Sequence, residues 1–198
     1  MDKPGLNHDE AGLEKVTKCR FDPDLDPGQR RVYEVLDALN IRYVRFEHPP
    51  VFTVEEAQKH WMNVPGVHCK NLFLRNYKGN RHFLVILEAL KRADLKDLSI
   101  KLGTDRLSFG SDERLLRCLG LTPGSVSPFG LINDEKKAVE VVLDEDLKRA
   151  DSVCFHPNVN TATVNLSYAD FERFLVWTGH PIKMVTLIGV PQEIGDTD

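Results

Sequence analysis

Two apolar runs, 69–76 and 81–89, flank Tyr77-Lys78-Gly79-Asn80. Gly and Asn supply the backbone freedom of a tight reversal, so the chain is committed here to a hairpin. A lone hairpin is marginal in water, and the rest of the chain must supply further strands and a cover. It does so in short alternating pieces. Asp26-Pro27-Gly28-Gln29 sets an N-cap acid, a first-turn proline and an N3 glutamine ahead of Val32, Val35, Leu36 and Leu39, which predicts a helix over 27–39. Residues 42–46 alternate and read as a strand closed by Pro49-Pro50. Thr53 and Glu56 form a capping-box pattern for a helix to about 62, with Val54, Ala57, Trp61 and Met62 on one side. Further helices are predicted over 95–102, 112–119 and 168–178, each stopped by a glycine. Strands are predicted at 107–109, 138–143, 153–155, 161–166 and 183–187. This interleaving implies an α/β (α+β) fold, a curled mixed or barrel-like β-sheet with helices packed outside.

Residues 1–25 mix charge, Gly and Pro without a repeating apolar face and read as an N-terminal arm. Residues 26–188 form the domain, and 189–198 an acidic tail. The chain has 198 residues, 41% of them hydrophobic, which suits one core rather than two independent units. Its 26 Lys and Arg against 30 Asp and Glu exclude a whole-molecule basic field. Charge is nevertheless uneven: between 59 and 106, ten Lys and Arg face four acids. Arg75, Lys78 and Arg81, around the hairpin tip, are therefore a candidate tRNA-phosphate surface or else a solvated face with compensating acids nearby in space. Cys19, Cys69, Cys118 and Cys154 lack C-x-x-C spacing and a histidine at finger-like distance, so neither a disulfide framework nor a zinc site is expected. No secretory leader and no apolar stretch of membrane-spanning length is visible, which leads us to expect a soluble cytoplasmic protein.

Three segments could carry chemistry. In the first, Lys70 and Asn71 enter an otherwise apolar strand, and alternation sets Lys70 on the face of Leu72 and Leu74. An ammonium there needs an anion, either a bound phosphate or a structural carboxylate. The second segment, Gly124-Ser125-Val126-Ser127-Pro128 followed by Phe129-Gly130, is loop chemistry. Its backbone can approach a ligand and offer N–H groups to an oxyanion, or it is simply a connection. In the third, His156 ends a strand ahead of Asn158, where an imidazole lines a pocket or is held structurally. No nucleophile–base order and no metal or nucleotide motif occurs, so no cofactor is expected.

Taken in order, H-P-P-V at 48–51, G-V-H-C-K-N-L-F-L at 66–74, L-S-F-G-S at 107–111, S-P-F-G-L at 127–131, F-H-P-N at 155–158 and T-A-T-V-N-L-S at 161–167 resemble the YbaK and prolyl-tRNA synthetase associated editing-domain family. The nearest branch is that of the stand-alone Ala-tRNA(Pro) deacylases, and the resemblance spans about 27–187. It implies hydrolysis, in trans, of the ester that joins a wrong amino acid to tRNA(Pro). Alanine is the first expectation and cysteine the alternative. By the same resemblance, Lys70 is catalytic, holding the acceptor end and so positioning the ester, and Asn71 beside it binds substrate. Gly124, also catalytic, and Pro128 set backbone groups around the scissile carbonyl, Ser127, Phe129 and Gly130 bind substrate with them, and His156 limits side-chain size. The helix at 54–62 acts as a lid, with Val54 and Ala57 either in the pocket or in the core. The implied partner is the tRNA(Pro) acceptor end, with prolyl-tRNA synthetase or an elongation factor as transient contacts, and the protein is expected to be a monomer. A non-catalytic tRNA- or synthetase-binding module using the 59–106 surface, and a binding domain for a proline-like metabolite, are the competing classes.

Overall fold

The computed structural model describes residues 15–16, 25–51, 53–61 and 64–187. Their strands are β1 (Lys15–Val16), β2 (Tyr43–Glu47), β3 (Val67–Asn76), β4 (His82–Glu88), β5 (Leu107–Phe109), β6 (Val139–Asp144), β7 (Ser152–Phe155), β8 (Ala162–Ser167) and β9 (Ile182–Val185). The helices are α1 (Pro27–Ala38), α2 (Val54–Trp61), α3 (Leu95–Leu102), α4 (Asp112–Leu119) and α5 (Tyr168–Thr178). All nine strands join one mixed sheet in the order β1-β2-β8-β7-β3-β4-β6-β9, with β5 also paired to β3. The expected α/β architecture is therefore present, and the hairpin lies inside it. Leu72 faces Val85 across the β3–β4 pair, and the Asn76 side chain closes the turn by accepting the amides of Asn80 and Arg81.

Local chemistry explains the helix boundaries. Asp26, Asp94, Ser111 and Ser167 each accept first-turn amides of α1, α3, α4 and α5 in turn. The observed bounds of α3, α4 and α5 are those the sequence predicts. Three features were not visible in it. Lys15 and Val16 pair with Phe46 and Arg45 of β2, too short a run for alternation to show. Residues 128–133, which begin inside the expected Pro-Gly loop, and 145–149, between two predicted strands, form 3₁₀ turns. The expected tail, 189–198, and most of the expected arm lie outside the described residues.

Both faces of the sheet carry apolar packing. On one, Val32 and Leu36 of α1, Leu115 and Leu119 of α4, and Phe171, Phe174 and Leu175 of α5 cover Leu84, Ile86, Val141, Phe155 and Val164. On the other, Leu98 and Leu102 of α3 cover Leu74, Phe83, Val85 and Val142. Strand alternation serves the two faces at once, which is why β4 is buried at six successive positions.

Candidate active site

β3 is where the sheet opens. Its first residues, Val67 and His68, run parallel to Val153 and Cys154 of β7, and its last, from Leu74, pair with β5. Between them, Cys69 to Leu72 have β4 on one edge and no described strand on the other. A pocket of about 230 Å³ lies at this gap, below the roughly 300–1,000 Å³ of sites for drug-sized ligands. Residues from both faces of β3 reach it, including Lys70 and Asn71. Ala57 of α2, Gly124 and Val126 of the Pro-Gly loop, and His156 and Thr163 beyond β7 complete its main walls.

Lys70 is half-buried and makes no ion pair or hydrogen bond to any described residue. Burial and the neighbouring Arg92 pull its ammonium below the usual lysine value, with Glu55 of α2 opposing them. The structural carboxylate that would have made Lys70 a mere packing cation is thus missing from the described residues. The arrangement leaves a cation at the pocket for an incoming anion.

The loop opposite is a tight reversal. Ser125 donates its amide to Thr122 O at 3.1 Å, Pro123 takes the second position and Gly124 the third, with φ +85. That is the pattern of a type II turn, whose third position needs positive φ and hence glycine. The amides of Thr122 and Ser125 are spent within the turn. Those of Gly124 and Val126 donate to no described residue, while both residues line the pocket. Asn71 pins the turn to β3 through Nδ2 to Val126 O, 3.0 Å.

His156 donates Nδ1–H to Ala162 O at 2.8 Å, which leaves Nε2 with its lone pair. Burial drives its pKa down to about 4, helped by His48 and His68, so the ring is neutral near pH 7. Cys69 and Cys154 also line the pocket. Burial pushes both thiols up, Cys154 to about 11, so neither offers a thiolate at neutral pH. Among the described residues no group of three His, Cys, Asp or Glu could hold a metal, and no helix is long and apolar enough to cross a membrane.

The structure therefore brings Lys70, Asn71, Ala57, Gly124 and His156 to one pocket. It does not bring Ser127, Pro128, Phe129 or Gly130 there. Ser127 Oγ accepts the Phe129 amide as the cap of the 3₁₀ turn, and Phe129 packs edge-on against Phe155 and Phe174 in the core. All four are buried, and the Phe129 ring gains more from the core than from an open cleft. The side chain of Val54 lies outside the described residues. Arg75, Lys78 and Arg81 sit at the far end of β3, with Arg75 roughly 16 Å along the strand from Lys70 at ~3.3 Å per residue. Arg81 is held there by a two-point contact with Glu140 at 2.7 and 2.8 Å. Sequence reasoning assigned no site role to Thr163, Val126 or Arg92. For Thr163 a signal existed: in T-A-T-V-N-L-S the polar positions alternate against buried Ala162, Val164 and Leu166.

A family model described as an aminoacyl-tRNA editing domain matches residues 48–174. The prolyl-tRNA editing protein ProX of Acetoanaerobium sticklandii is 45% identical over 164 residues, covering 83% of this chain and 99% of that one. The prolyl-tRNA synthetase associated domain-containing protein 1 of Danio rerio is 38% identical over 154 residues, 77% of this chain and 83% of that one. A crystal structure provisionally described as a trans-editing enzyme for prolyl tRNA synthetase shares the fold, with a TM-score of 0.64 at 23% identity, over 84% of this chain and 100% of that one.

Proposed function

Because the chain belongs to the aminoacyl-tRNA editing domain family, we propose that it is a trans-editing hydrolase that removes alanine from mischarged tRNA(Pro). The observation that carries this reading is Lys70, a pocket cation that no described carboxylate pairs, across from a turn whose Gly124 and Val126 amides donate to no described residue. A proline site cannot reject the smaller alanine by binding energy alone, so a second and smaller sieve has to remove it. A small pocket walled by Ala57 and His156 fits that task.

In this reading Lys70 holds a phosphate of the tRNA 3′ end and so sets the ester against the turn. Water adds to the acyl carbonyl, and the charge that develops on its oxygen is taken by the amides of Gly124 and Val126. The carbon–oxygen bond to the terminal ribose then breaks. The sugar hydroxyl leaves with one proton of the water, and the amino acid leaves as carboxylate with release of the other. Asn71 keeps the turn at its distance from β3. No side chain forms a covalent intermediate, in keeping with the protonated state of both pocket thiols. Arg75 and Lys78, which form no ion pair with any described residue, extend the contact to the acceptor stem, and Arg81 contributes less because Glu140 holds it. The enzyme acts in the cytoplasm on tRNA that the synthetase has released, and its contacts with that synthetase or an elongation factor are transient.

The test is release of amino acid from tRNA(Pro) charged separately with alanine, cysteine and proline. Rapid loss of the alanyl ester with the prolyl ester spared is expected. Faster loss of the cysteinyl ester reassigns the amino acid, and binding of tRNA without loss of any ester overturns the hydrolase reading.

A further inference from the structure

The deacylase reading leaves one part of the substrate without a partner. An aminoacyl ester carries a free α-amino group, which near neutral pH is largely an ammonium with three N–H donors and no acceptor. The usual receptor for such a group is a carboxylate, yet none lines the pocket among the described residues. There is a physical reason for that. A carboxylate placed beside Lys70 would pair with it and take the place of the phosphate. Recognition of the amino group at this site has to come from neutral acceptors.

The hydrogen bonds around the pocket supply two. His156 spends Nδ1–H on Ala162 O, so its Nε2 can only accept. His48 has Nδ1 2.9 Å from Pro49 O, a group that only accepts, so that nitrogen carries the proton. In the neutral ring its Nε2 then accepts, and the partner at 3.0 Å is Thr163 Oγ1. The Thr163 hydroxyl proton is thereby turned toward His48, and its oxygen presents lone pairs away from that bond. Thr163 and His156 both line the pocket, and the His48 and His156 rings lie 5.7 Å apart.

Resting on the deacylase reading, we infer that the pocket recognises the free α-amino group of its substrate through Thr163 Oγ1 and His156 Nε2, with His48 as the positioning residue that orients the threonine hydroxyl. The chemical class admitted is an ester of a small amino acid with an unblocked amine. An ester of a hydroxy acid or an N-acylated amino acid has a single neutral donor, so it serves at most one of the two acceptors and loses the charge-assisted contact. A site built to receive two N–H donors from a cation discriminates against an analogue with one neutral donor, because one acceptor is left dry and the other bond loses its charge.

The experiment compares alanyl-tRNA(Pro) with lactyl-tRNA(Pro), made by deaminating it, so that a hydroxyl replaces the ammonium at nearly constant size. Each rate is divided by that of spontaneous hydrolysis, because the ammonium itself activates the ester. The wild type is expected to prefer the alanyl ester at least tenfold. Thr163→Val, near-isosteric and checked by its melting temperature, should lose most of that ratio, and Thr163→Ser should keep it. His48→Phe, which keeps a ring but cannot accept the threonine proton, should lower the ratio as Thr163→Val does. Equal cleavage of the two esters by the wild type, or an unchanged ratio in Thr163→Val, overturns the inference while leaving the deacylase reading intact. Cleavage of neither ester overturns that reading and the inference with it.

Discussion

Lys70 and His156 are opposite solutions to burying a titratable group. Lys70 is only half-buried, and no described carboxylate pairs with it, so it keeps its capacity for an outside anion. Lys70→Ala should lower kcat/KM for alanyl-tRNA(Pro) by about 10- to 100-fold, the worth of one charge-assisted contact of roughly 1.5–3 kcal/mol, with melting unchanged. A deacylation time course beside a thermal melt decides this. His156 is kept neutral, its pKa held at about 4 against 6.5 in the unfolded chain. Between those values the unfolded state binds more protons, so stability is fully present above pH 6.5 and is lost as pH falls toward 4. From pH 7 to pH 5 the loss traceable to this ring is about 1–2 kcal/mol. Burial lowers the pKa of His68, His82 and His180 as well. The share of His156 is therefore read as the difference between wild type and His156→Gln in urea unfolding at the two pH values. Equal pH dependence in both would show that the ring is not buried as described.

The Pro-Gly turn works as a unit. Pro123 presets the second position, Gly124 takes the positive φ at the third, and Asn71 ties the result to β3. Gly124→Ala forces a side chain into a conformation that costs it about 1 kcal/mol. The larger effect is expected on the chemistry, because moving the Gly124 and Val126 amides removes oxyanion donors worth about 10²-fold or more in kcat. Steady-state kinetics should show kcat falling with little change in KM, and a fall in KM-dependent binding alone would place the turn outside the reaction. At this scale the sequence was informative about kind and silent about partners. Two prolines and two glycines within 121–130 announce a turn. That Asn71, some fifty residues earlier, would hold the turn in place depends on a contact across the fold that local patterning cannot show.

In the whole molecule, the pocket exists because one sheet serves two cores and opens where β3 changes neighbours. The closing edge depends on Asp144, fully buried at the end of β6, which takes the Lys91 ammonium at 2.7 Å and the Leu187 amide at 3.2 Å. Asp144→Ala leaves Lys91 with only the more exposed Asp146 and strands the amide, so a loss of about 3 kcal/mol is expected in equilibrium unfolding. Gly66, at φ +99, guards the opposite side of the gap. A Cβ there would stand 2.5 Å from Ser152 Oγ and 2.6 Å from Asn165 Nδ2. Gly66→Ala should accordingly part β3 from β7, lowering the melting temperature together with the deacylase rate, and a variant that melts normally would show the junction to be slack.

What the sequence determined by itself is what depends on neighbours along the chain. Caps, helix ends, the hairpin and the face on which Lys70 lies follow from interactions within a few residues, and α3, α4 and α5 appear with the bounds their own residues predict. The spaced motifs likewise pointed to the editing family, because a site of this kind draws on several segments in a set order. Only the tertiary structure decided which of those residues meet. Phe129, beside a motif glycine, is buried in the core, whereas Thr163, an ordinary strand threonine, reaches the pocket. The physical reason is that a strand residue has two faces, and which face meets a core or a cleft depends on the neighbouring strands the sheet assigns to it, a choice made by packing across the whole fold.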